Sequence, residues 1–564
     1  MRLSTEAIDD DVALATIAAA LDAGVTVFDT AHAYGKGPGD AGQNERLLAR
    51  GIRGSGGLRS ARVVTKGGMK RTAVGWVPDG RAGAILADCE GSLAALDGVA
   101  IDLFLLHAPD PRTPWRTSMR ALARLLDEGM VRRVGVSNVN LRQLEEALDV
   151  IPVAAVQVSL SVYDDRALRG GIVDRCADSG IGLIAHSPLG GPRRVGAMVR
   201  DKVLTEVART YPATPAQVAL AWLLSLSPVL VAIPGARHPE AARSAAGAAA
   251  VTLDAGARDA VGERFGARRS IRQHRPDPAD GAEVVLVMGI PGAGKSRVAE
   301  EFVGRGYLRL NRDERGRSLR DLAGTLDEEL RRGARHVVLD NTYLSRAARS
   351  HVIEVAGRQR ISTRCVWVDT PLAQAQVNLV ERLLERFGAL PTPEEIKAAA
   401  RREPGLLMPT AQMRALRELE SPSTDEGFAA VERIPFARTP PSPRARVGVF
   451  VAAEILTKPG WKSSLGMGDR DAPHLVFDWR PDGAPGDLAE MAARVSVEVS
   501  GAVETAVCLH GGGPPSCWCR PPLPGLLLAF ARVHGIAPSR SVVIGSGISS
   551  RTLAATLGAR HVAG

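Results

Sequence analysis

A glycine-rich segment in the middle of the sequence is of the kind that holds phosphate groups. A short apolar run leads into the loop Gly289-Ile290-Pro291-Gly292-Ala293-Gly294-Lys295-Ser296, and a helical pattern follows. Glycines let backbone N–H groups wrap around phosphates, and the start of the helix adds positive potential. We therefore expect Gly289, Gly292 and Gly294 to shape an ATP site in which Lys295 contacts the β- and γ-phosphates and Ser296 binds Mg²⁺.

Charged side chains that follow this loop could complete a site for phosphoryl transfer. In small P-loop kinases the end of the second strand faces the acceptor. Asp313, which follows the predicted strand Tyr307–Leu310, is therefore expected to take the proton of an acceptor hydroxyl. Arg382 and Arg386 are four residues apart on one predicted helix face, where they could close over the transferring phosphate as a lid. The alternative for this arginine pair is a solvated, charged face.

Four side chains of the first domain could together form a site that donates a proton to a carbonyl group. Asp29, Lys66 and His107 each stand at the end of a different predicted strand, and Tyr34 lies a few residues beyond Asp29. A buried Asp–Lys pair lowers the pKa of a neighbouring tyrosine, and a histidine can orient the carbonyl. Because a single aspartate or histidine at a strand end is more often structural, the prediction depends on all four lying together.

Residue types that bind metal ions are concentrated near the C-terminus. Cys508, His510, Cys517 and Cys519 lie within twelve positions, whereas the six cysteines of the whole chain are too few for a disulfide framework. Thiolate and imidazole ligands of this number suit one tetrahedral Zn²⁺ ion. Because the protein fills all four positions, we expect a structural zinc site with no place for a catalytic water.

The elements that must position these residues fall into three predicted domains. Strand and helix patterns alternate, which predicts α/β folds. Two stretches rich in proline and charge, at 266–281 and 438–446, are predicted to be linkers. They separate domains at 1–265, 282–437 and 447–564.

Seven β-rich runs alternate with helical patterns in the first domain, and Thr214-Pro215 predicts one of the helix starts. This number is one short of a (β/α)8 TIM barrel, so one strand is predicted to be missing. Because an open parallel sheet leaves two edges unpaired, we expect a true start upstream of Met1, with a degraded barrel as the alternative. The predicted strands are Val25–Thr30, Arg62–Gly68, Asp102–His107, Arg132–Asn138, Ala155–Ser161, Gly182–Pro188 and Val229–Gly235.

The overall composition excludes several classes of protein. A chain of 564 residues with 45% hydrophobic residues is too long for one ordinary fold and too apolar for global disorder. It has no apolar run of membrane-helix length and no signal peptide at Met1, so we expect a cytoplasmic protein with no membrane partner. The net charge of +9 permits a polyanionic partner, although only eight of the 71 basic residues are lysine and a GC-rich genome also explains an excess of arginine.

The first domain resembles the aldo-keto reductases. The motifs that carry the resemblance are Phe28-Asp29-Thr30-Ala31-His32-Ala33-Tyr34-Gly35, Thr65-Lys66-Gly67, Leu105-Leu106-His107, Gly135-Val136-Ser137-Asn138 and Ser187-Pro188-Leu189-Gly190. The resemblance implies that Tyr34 is the general acid in the reduction of a small carbonyl compound, assisted by Asp29, Lys66 and His107. It also implies NADPH as cofactor. The nicotinamide carboxamide would be held by Ser137, Asn138 and Gln157, and the phosphates by Ser187, Leu189, Arg237 and Arg243.

Two positions depart from the pattern of that family. His186 stands where the family usually has a tyrosine under the nicotinamide. Ser244-Ala245 stands where the family has a Glu-Asn pair near the adenine. We therefore expect a reduced affinity for the cofactor.

The second domain resembles the kinase domain of the end-healing polynucleotide kinases of bacteriophages and animals. The phosphate-binding loop is followed by Asn311-Arg312-Asp313 and by Asp340-Asn341-Thr342, in the order of that family. The resemblance implies a P-loop kinase α/β/α domain that phosphorylates the 5′-hydroxyl end of RNA or DNA with ATP. Asp313 would be the general base, and Arg312 would contact the 3′-phosphate of the acceptor.

The third domain resembles the zinc-loop phosphatases of the haloacid dehalogenase superfamily, chiefly in the loop that contains the four metal-ligand residues. That family uses an aspartate nucleophile after its first strand, a lysine beside the zinc loop and acids near the last glycine. Here the first strand ends in Glu454, Pro521 replaces the lysine, and Ser546 and Ser550 replace the acids. We expect a degenerate HAD-like Rossmannoid domain without phosphatase activity. An active phosphatase that uses Asp478 or Asp482 is the alternative.

Together these features predict an ATP-dependent polynucleotide 5′-hydroxyl kinase fused to an NADPH-dependent reductase and an inactive zinc-binding domain. One alternative is a carbonyl reductase fused to a small-molecule kinase that acts on the same metabolite. Another is a non-catalytic binding protein that is controlled by a nucleotide. The choice between RNA and DNA, and the oligomeric state, stay open.

Overall fold

The computed structural model of the protein describes residues 3, 8–72, 75–265, 281–312, 318–400, 403, 405–438, 441–481, 487–512 and 515–564. The chain forms two compact units, Met1–Arg272 and Gln273–Gly564. Apart from residue 281, the first predicted linker lies outside the described residues. Where the structure describes the chain, no helix is both long and apolar enough to cross a lipid bilayer.

A parallel sheet is the frame of the first unit. Its strands, with those of a separate hairpin, are β1 (Val27–Asp29), β2 (Arg62–Gly67), β3 (Met69–Thr72), β4 (Gly75–Pro78), β5 (Ile101–Leu106), β6 (Val134–Ser137), β7 (Val153–Ser159), β8 (Gly182–His186) and β9 (Leu230–Ile233). β3 and β4 pair with each other, and the other strands pair in the order β1-β2-β5-β6-β7-β8-β9. In the described residues this sheet is a nearly closed parallel barrel, and its seven strands occupy the seven predicted β-rich runs.

The barrel strands are buried on both faces, as near-continuous apolar sequences favour. Successive residues alternate between two cores. Phe104 and Val156 pack in the large cluster that includes helix side chains, whereas Leu105 and Ala155 belong to a small separate cluster. The helices between the strands are Asp10–Asp22, Gln43–Gly54, Ala82–Leu96, Trp115–Asp127, Leu141–Leu148, Arg166–Arg169, Ile172–Asp178, Pro192–Met198, Lys202–Thr210, Pro215–Leu224, Pro239–Gly247 and Ala255–Phe265.

The predicted helix start at Thr214-Pro215 is confirmed. The Thr214 hydroxyl accepts a hydrogen bond from the N–H of Gln217, and the side chain of Gln217 accepts one from the N–H of Thr214. This reciprocal capping satisfies two of the N–H groups that a helix start leaves without partners.

The second unit contains two parallel sheets. The first consists of β10 (Glu283–Met288), β11 (Leu308–Leu310), β12 (His336–Asp340), β13 (Ser362–Asp369) and β14 (Ala430–Pro435), paired in the order β11-β12-β10-β13-β14. β10 is therefore the central strand, and its five residues from Val284 to Met288 are fully buried. The helices that accompany it are Lys295–Val303, Leu319–Arg331, Arg346–Arg358, Leu372–Phe387, Pro393–Ala399 and Pro409–Glu418.

The other sheet is built from the last part of the chain. Its strands are β15 (Val449–Ala452), β16 (His474–Trp479), β17 (Val503–Cys508), β18 (Val542–Ile544) and β19 (Arg560–Val562), paired in the order β17-β16-β15-β18-β19. The helices are Trp461–Leu465, Leu488–Ser496, Gly525–His534 and Ile548–Leu557. All of these strands are parallel, which gives a layered α/β arrangement.

One apolar core joins the two sheets of the second unit. Val380 and Leu383 of the helix Leu372–Phe387 lie in the same cluster of buried side chains as Phe450 of β15 and Leu527 of the helix Gly525–His534. The second and third predicted domains are therefore packed against each other within one compact unit.

Candidate functional site

The Asp29 and Lys66 side chains form a buried ion pair at the ends of β1 and β2. Because neighbouring parallel strands end at the same edge of a sheet, Lys66 Nζ lies 2.7 Å from both carboxylate oxygens of Asp29. Lys66 also donates to the Thr30 carbonyl oxygen at 2.7 Å. Gln157 on β7 donates its amide N–H to Asp29 Oδ1 at 2.7 Å. Hydrogen bonds inside the barrel thus support both charges.

Burial and mutual attraction act in opposite directions on this pair. Burial raises the pKa of Asp29, but the Lys66 ammonium more than offsets this effect, and the pKa of Asp29 lies below its ordinary value. Burial lowers the pKa of Lys66, but Asp29 and Tyr34 reverse this effect, and the pKa of Lys66 lies above its ordinary value. Both groups are therefore charged at neutral pH.

Tyr34 and His107 lie beside the ion pair. The Tyr34 ring centre is 5.3 Å from Lys66 Nζ and 5.6 Å from the His107 ring centre, with the two rings edge to face. Burial, and then the charge of Lys66, lower the pKa of His107 to about 3, so the imidazole is neutral at neutral pH. The structure thus brings together the four residues of the predicted proton-donor site.

The next strand ends carry residues that the resemblance assigns to the nicotinamide. Asn138 follows β6 in a left-handed conformation with φ of 57°. Its Nδ2 donates to the His107 carbonyl oxygen at 2.9 Å and to Ser137 Oγ at 3.2 Å. His186 Nε2 lies 3.0 Å from Asn138 Oδ1, and His186 Nδ1 lies 3.3 Å from Ser187 Oγ. The histidine that departs from the family pattern therefore contacts two residues expected at the cofactor.

The residues expected at the cofactor phosphates lie in the loops after β8 and β9. Ser187 is exposed and has a φ of 51°, and Leu189 is half-buried. Arg237 and Arg243 are exposed; Arg237 lies two residues before the helix Pro239–Gly247, and Arg243 lies in the second turn of that helix. A helix start favours negative charge, so this position suits a phosphate.

A second buried network lies beside the ion pair, and no role was predicted for it. Thr30 Oγ1 donates to Asn44 Oδ1 at 2.8 Å, and Thr65 Oγ1 donates to Glu45 Oε1 at 2.5 Å. His32 Nδ1 lies 3.2 Å from Glu45 Oε2. Because Glu45 is fully buried, this network fixes the loop that carries Tyr34. The signal in the sequence is a charged residue on the apolar face of a helix.

The hairpin β3–β4 adds two further residues that were not predicted. The Trp76 ring centre is 5.7 Å from that of Tyr34, and the Arg71 guanidinium lies 4.6 Å from the Trp76 ring centre. Trp76 remains 38% exposed. These residues place an aromatic and a cationic surface next to the expected acid.

The phosphate-binding loop joins the central strand β10 to the helix Lys295–Val303. Gly289, Gly292 and Gly294 have φ of 154°, 85° and 94°. A Cβ at Gly292 would lie 2.4 Å from the Ala375 carbonyl oxygen. Gly292 is therefore required both by its backbone conformation and by the space available to it.

Side chains from outside the loop hold its backbone in place. Thr370, Asn378 and Gln412 donate hydrogen bonds of 2.8, 2.8 and 3.0 Å to the carbonyl oxygens of Ala293, Gly292 and Pro291, respectively. Three consecutive carbonyl groups of the loop are thus fixed by three different parts of the fold.

Lys295 and Ser296 begin the helix that follows the loop. Lys295 Nζ donates to the Ile290 carbonyl oxygen at 3.0 Å, so the amine lies across the loop. Ser296 is exposed in the first helical turn. An amine, a hydroxyl and a helix start around a glycine cradle fit a triphosphate with its magnesium ion.

The strand next to the loop ends in a buried carboxylate. Asp340 closes β12, and its Oδ2 lies 2.5 Å from Arg309 Nη2. Asn311 Nδ2 donates to Asp340 Oδ2 at 3.2 Å and to the Asp340 carbonyl oxygen at 2.8 Å. These contacts join the ends of β11 and β12 beside the phosphate-binding loop.

Arg312 and the predicted base follow this contact. The backbone N–H of Arg312 donates to Asn341 Oδ1 at 2.9 Å, which fixes where the chain leaves β11. Asp313 itself lies outside the described residues.

The two predicted lid arginines are exposed on the helix Leu372–Phe387. Arg386 Nη2 lies 2.7 Å from Glu403 Oε1, and a Cβ at Gly405 would lie 3.2 Å from Arg382 Nη1. Both arginines therefore approach the segment that precedes the helix Pro409–Glu418.

The structure brings the four predicted metal ligands together after β17. Their sulfur and Nδ1 atoms all lie within 4.8 Å of one another. Cys508 Sγ is 3.5 Å from His510 Nδ1, 3.6 Å from Cys517 Sγ and 3.4 Å from Cys519 Sγ. A tetrahedral zinc ion with bonds of about 2.0 to 2.3 Å holds its ligand atoms about 3.3 to 3.8 Å apart, so these atoms fit one zinc ion.

Glu454 stands just after β15 and reaches the loop after β18. Its Oε1 accepts hydrogen bonds from the N–H groups of Ser546 and Gly547, both at 3.0 Å. Ser550 Oγ lies 3.4 Å from the same oxygen. The carboxylate therefore occupies the start of the helix Ile548–Leu557, where negative charge is stabilised.

The two acids considered for a phosphatase differ in what the structure shows. Asp478 Oδ2 pairs with Arg480 Nε at 2.7 Å. Asp482 lies outside the described residues.

Comparison with known families assigns the first two domains. The aldo/keto reductase family model matches residues 1–261, and a model described as an AAA domain matches residues 284–403. The chain therefore carries an aldo/keto reductase domain in its N-terminal part and a P-loop domain of kinase-like type in its centre.

Individual relatives match the N-terminal part. Aldo-keto reductase str7 of Strobilurus tenacellus is 29% identical over 273 residues, which cover 43% of this chain and 78% of that protein. Probable aldo-keto reductase 1 of Glycine max is 29% identical over 267 residues, which cover 43% of this chain and 75% of that protein. Among solved structures, the thermostable aldo-keto reductase Tm1743 in complex with the inhibitor epalrestat is 28% identical. Its TM-score is 0.40, and the match covers 46% of this chain and 90% of that one.

Proposed function

We propose that the central domain is an ATP-dependent polynucleotide 5′-hydroxyl kinase and that the barrel is an NADPH-dependent reductase of small carbonyl compounds. The third domain is a zinc-stabilised, phosphatase-like scaffold without phosphatase activity. The observation that carries the kinase proposal is the phosphate-binding loop, which follows the central strand of a parallel sheet and has three consecutive carbonyl oxygens fixed by Thr370, Asn378 and Gln412.

The loop supports transfer of the γ-phosphoryl group of ATP. Lys295 and the helix start offset the negative charge on the phosphates, and Ser296 would hold Mg²⁺. Asp313 accepts the proton of the 5′-hydroxyl group while the oxygen of that hydroxyl forms a bond to the γ-phosphorus of ATP. The bond between that phosphorus and the bridging oxygen breaks, and ADP leaves.

Two features support a nucleic acid as acceptor. The order of Asn311-Arg312-Asp313 and Asp340-Asn341-Thr342 after the loop matches the end-healing kinases, and Arg312 directly precedes the proposed base. The net charge of the chain, +9, permits a polyanionic substrate.

Transfer of labelled phosphate from ATP to oligonucleotides with 5′-hydroxyl ends tests the kinase proposal. We expect Asp313→Ala to lower the transfer rate at least about 100-fold while the affinity for ATP is kept, because the base acts on the acceptor alone. Glu328→Ala removes an exposed acid of the same domain and is expected to leave transfer unchanged.

Other outcomes of this assay select the alternatives. Transfer to small alcohols and not to oligonucleotides would identify a small-molecule kinase. Binding of ATP without transfer to any acceptor would identify a nucleotide-controlled binding protein.

The reductase proposal depends on the cluster of Asp29, Tyr34, Lys66 and His107. NADPH, when bound by the barrel, would supply a hydride to the carbonyl carbon. The Tyr34 hydroxyl donates a proton to the carbonyl oxygen, and the charged Lys66 stabilises the tyrosinate that remains. Asp29 holds Lys66 in place, and the neutral His107 can donate a hydrogen bond to the same carbonyl oxygen.

Oxidation of NADPH by a panel of small aldehydes tests this part. We expect Tyr34→Phe to lower turnover at least about 100-fold with unchanged affinity for NADPH, because only the proton donor is lost. Tyr211→Phe is the matched control, since the Tyr211 hydroxyl accepts a hydrogen bond from the N–H of Asp254 and is not part of the cluster. Equal losses in both variants would contradict the assignment of Tyr34.

The contacts of Glu454 support the proposal that the third domain lacks phosphatase activity. Its carboxylate accepts hydrogen bonds from the N–H groups of Ser546 and Gly547 at a helix start, which is a position that would otherwise suit a phosphate. We expect no release of phosphate from 3′-phosphorylated oligonucleotides. Release that disappears in Asp478→Ala would show instead that the third domain is an active phosphatase.

A further inference from the structure

The loop with the four metal ligands also carries a tryptophan that contacts the P-loop domain. Trp518 lies between Cys517 and Cys519 and is only 1% exposed. Its Nε1–H donates a hydrogen bond to the Leu407 carbonyl oxygen at 2.8 Å. Leu407 lies just before the helix Pro409–Glu418 of the P-loop domain. A side chain of the third domain thus holds the backbone of the second.

The segment held by Trp518 leads directly to the phosphate-binding loop. Gln412 lies in the helix that follows, five positions after Leu407, and is fully buried. Its Nε2 donates to the Pro291 carbonyl oxygen at 3.0 Å. The metal-ligand loop and the phosphate-binding loop are therefore linked through one short segment.

Apolar packing links the same two loops by a second route. Asn378 lies in the helix Leu372–Phe387, and its Nδ2 donates a hydrogen bond to the Gly292 carbonyl oxygen at 2.8 Å. Val380 of that helix lies in the same buried cluster as Trp518. Both routes end on adjacent carbonyl groups of the phosphate-binding loop.

We propose that binding of a metal ion by the 508–519 loop sets the affinity of the phosphate-binding loop for nucleotide, because the metal ion holds Trp518 where it anchors the segment that carries Gln412. The proposal rests on the proposed function in one respect, namely that the phosphate-binding loop binds ATP. Trp518 and Gln412 are positioning residues, since they act through the backbone of Leu407 and Pro291.

The physical reason is the cross-link that the metal ion makes between the two halves of its loop. Cys508 and His510 lie on one side of the loop and Cys517 and Cys519 on the other, so the ion adds a strong cross-link to weaker contacts such as the 3.4 Å hydrogen bond from Arg520 Nη1 to the Gly511 carbonyl oxygen, and without the ion that cross-link is absent. The backbone around Trp518 is then free to move, and its hydrogen bond to Leu407 is lost. The phosphate-binding loop is then less ordered before nucleotide binds. Because part of the binding free energy is used to order the loop, the affinity for nucleotide falls.

Trp518→Phe is the variant that tests the contact most directly, because it keeps an apolar ring and removes the N–H donor. In the full-length, zinc-loaded protein we expect the dissociation constant of a fluorescent ATP analogue with Mg²⁺ to rise about fivefold. Trp461→Phe is the matched control, since Trp461 is another nearly buried tryptophan of the same domain but packs in a different core cluster. Equal weakening in both variants, or none in Trp518→Phe, would overturn the proposal.

Metal removal tests the same link from its other end. A chelator that binds zinc and spares Mg²⁺ should weaken the binding of the analogue to the wild type about tenfold, and added zinc should restore it. In Trp518→Phe the same treatment should have a smaller effect, because the contact is already broken. Fully additive effects of the variant and of metal removal would overturn the proposal.

Hydrogen exchange follows the link without any activity assay. In zinc-free protein, the amides of the helix Pro409–Glu418 should exchange faster, whereas those of the helix Trp115–Asp127 in the other unit should not change. Unchanged exchange in Pro409–Glu418 would contradict the proposal. Failure of the proposed function has a different signature, since zinc-loaded wild-type protein would then bind no nucleotide at all.

Discussion

At the scale of single residues, the barrel site depends on two charges that stabilise each other. Asp29 is 7% exposed and Lys66 is 1% exposed. Removing a charge from water costs several kcal/mol, and only an opposite charge with good hydrogen bonds offsets that cost. Loss of one partner should therefore be more harmful than loss of both.

We expect Lys66→Met to lower the free energy of unfolding of the barrel by about 3 to 5 kcal/mol, because Asp29 is left buried and uncompensated. The double variant with Asp29→Asn should recover a large part of this loss. Urea denaturation of the full chain, with the barrel transition identified by hydrogen exchange of its strands, measures both.

Lys70→Met is the matched control for this substitution. The Lys70 side chain is 54% exposed and pairs with Asp79, which also pairs with Arg81. Its loss should cost less than about 1 kcal/mol. A cost equal to that of Lys66→Met would contradict the role given to the buried pair.

The low pKa of His107 predicts how stability depends on pH. The unfolded chain takes up a proton on this residue below pH about 6.5, whereas the folded chain, with a pKa of about 3, does not. The contribution of His107 is therefore complete above pH 6.5 and is lost as the pH falls towards 3. Between pH 7 and pH 5, we expect the free energy of unfolding of His107→Asn to fall by about 2 kcal/mol less than that of the wild type.

Two measurements check this prediction. Urea denaturation at the two pH values gives the difference in stability between the wild type and His107→Asn. A nuclear magnetic resonance titration of the histidines should find His107 neutral at pH 5, and a midpoint above that pH would contradict the burial seen here.

Some site residues could be predicted from the sequence and others could not. Asp29, Lys66 and His107 could be predicted, because they end apolar strand patterns and parallel strands bring such ends together. The hydrogen bond from Thr65 to Glu45 could not be predicted, because it joins a strand to the start of a helix and no periodic pattern in the sequence indicates it.

At the scale of elements, the phosphate-binding loop shows how the backbone restricts the sequence. Gly292 has a φ of 85°, and the Ala375 carbonyl oxygen occupies the place of a Cβ. Neither restriction can be relieved by moving a flexible side chain, since the obstacle is backbone.

Gly292→Ala is therefore expected to abolish nucleotide binding, because the loop must open to accommodate the methyl group. Equilibrium binding of a fluorescent ATP analogue measures this loss. Gly324→Ala is the control, since Gly324 lies exposed in the helix Leu319–Arg331 with open space around its Cβ position. That change should stabilise the protein by about 0.5 to 1 kcal/mol, and nucleotide binding that survives Gly292→Ala would contradict the geometry.

The elements themselves could largely be predicted, because buried parallel strands are near-continuous runs of β-branched and apolar residues. All strands of the barrel sheet overlap predicted runs, although β5 begins one residue and β7 two residues earlier than predicted, and β12 coincides with the predicted strand at His336–Asp340. The hairpin of Met69–Thr72 and Gly75–Pro78 could not be predicted, because its mostly half-buried strands contain charged and glycine residues in no clear alternation.

At the scale of the whole molecule, the second compact unit is a joint structure. The predicted linker at 438–446 divides this unit into two domains, but apolar side chains of both parts form one cluster. Contacts such as that of Trp518 with Leu407 join residues far apart in the chain, and no local pattern announces them.

Removal of the third domain should therefore destabilise the P-loop domain. A chain that ends at residue 437 would expose Val380, Leu383 and Leu384, which are at most 2% exposed in the intact protein. Such an apolar patch favours aggregation, which light scattering and thermal unfolding would detect. A chain that ends at residue 265 is the control and should not aggregate, because the first compact unit keeps nearly all of its residues.

The contact of Glu454 with the loop after β18 has a consequence for how the third domain tolerates change. The carboxylate already satisfies the N–H groups of Ser546 and Gly547, so this pocket needs no external anion to be complete. The ends of its strands can therefore change in sequence while the domain still packs against the P-loop domain. In random mutagenesis we accordingly expect substitutions to be tolerated at the strand ends of the third domain and not in the loop that carries Trp518.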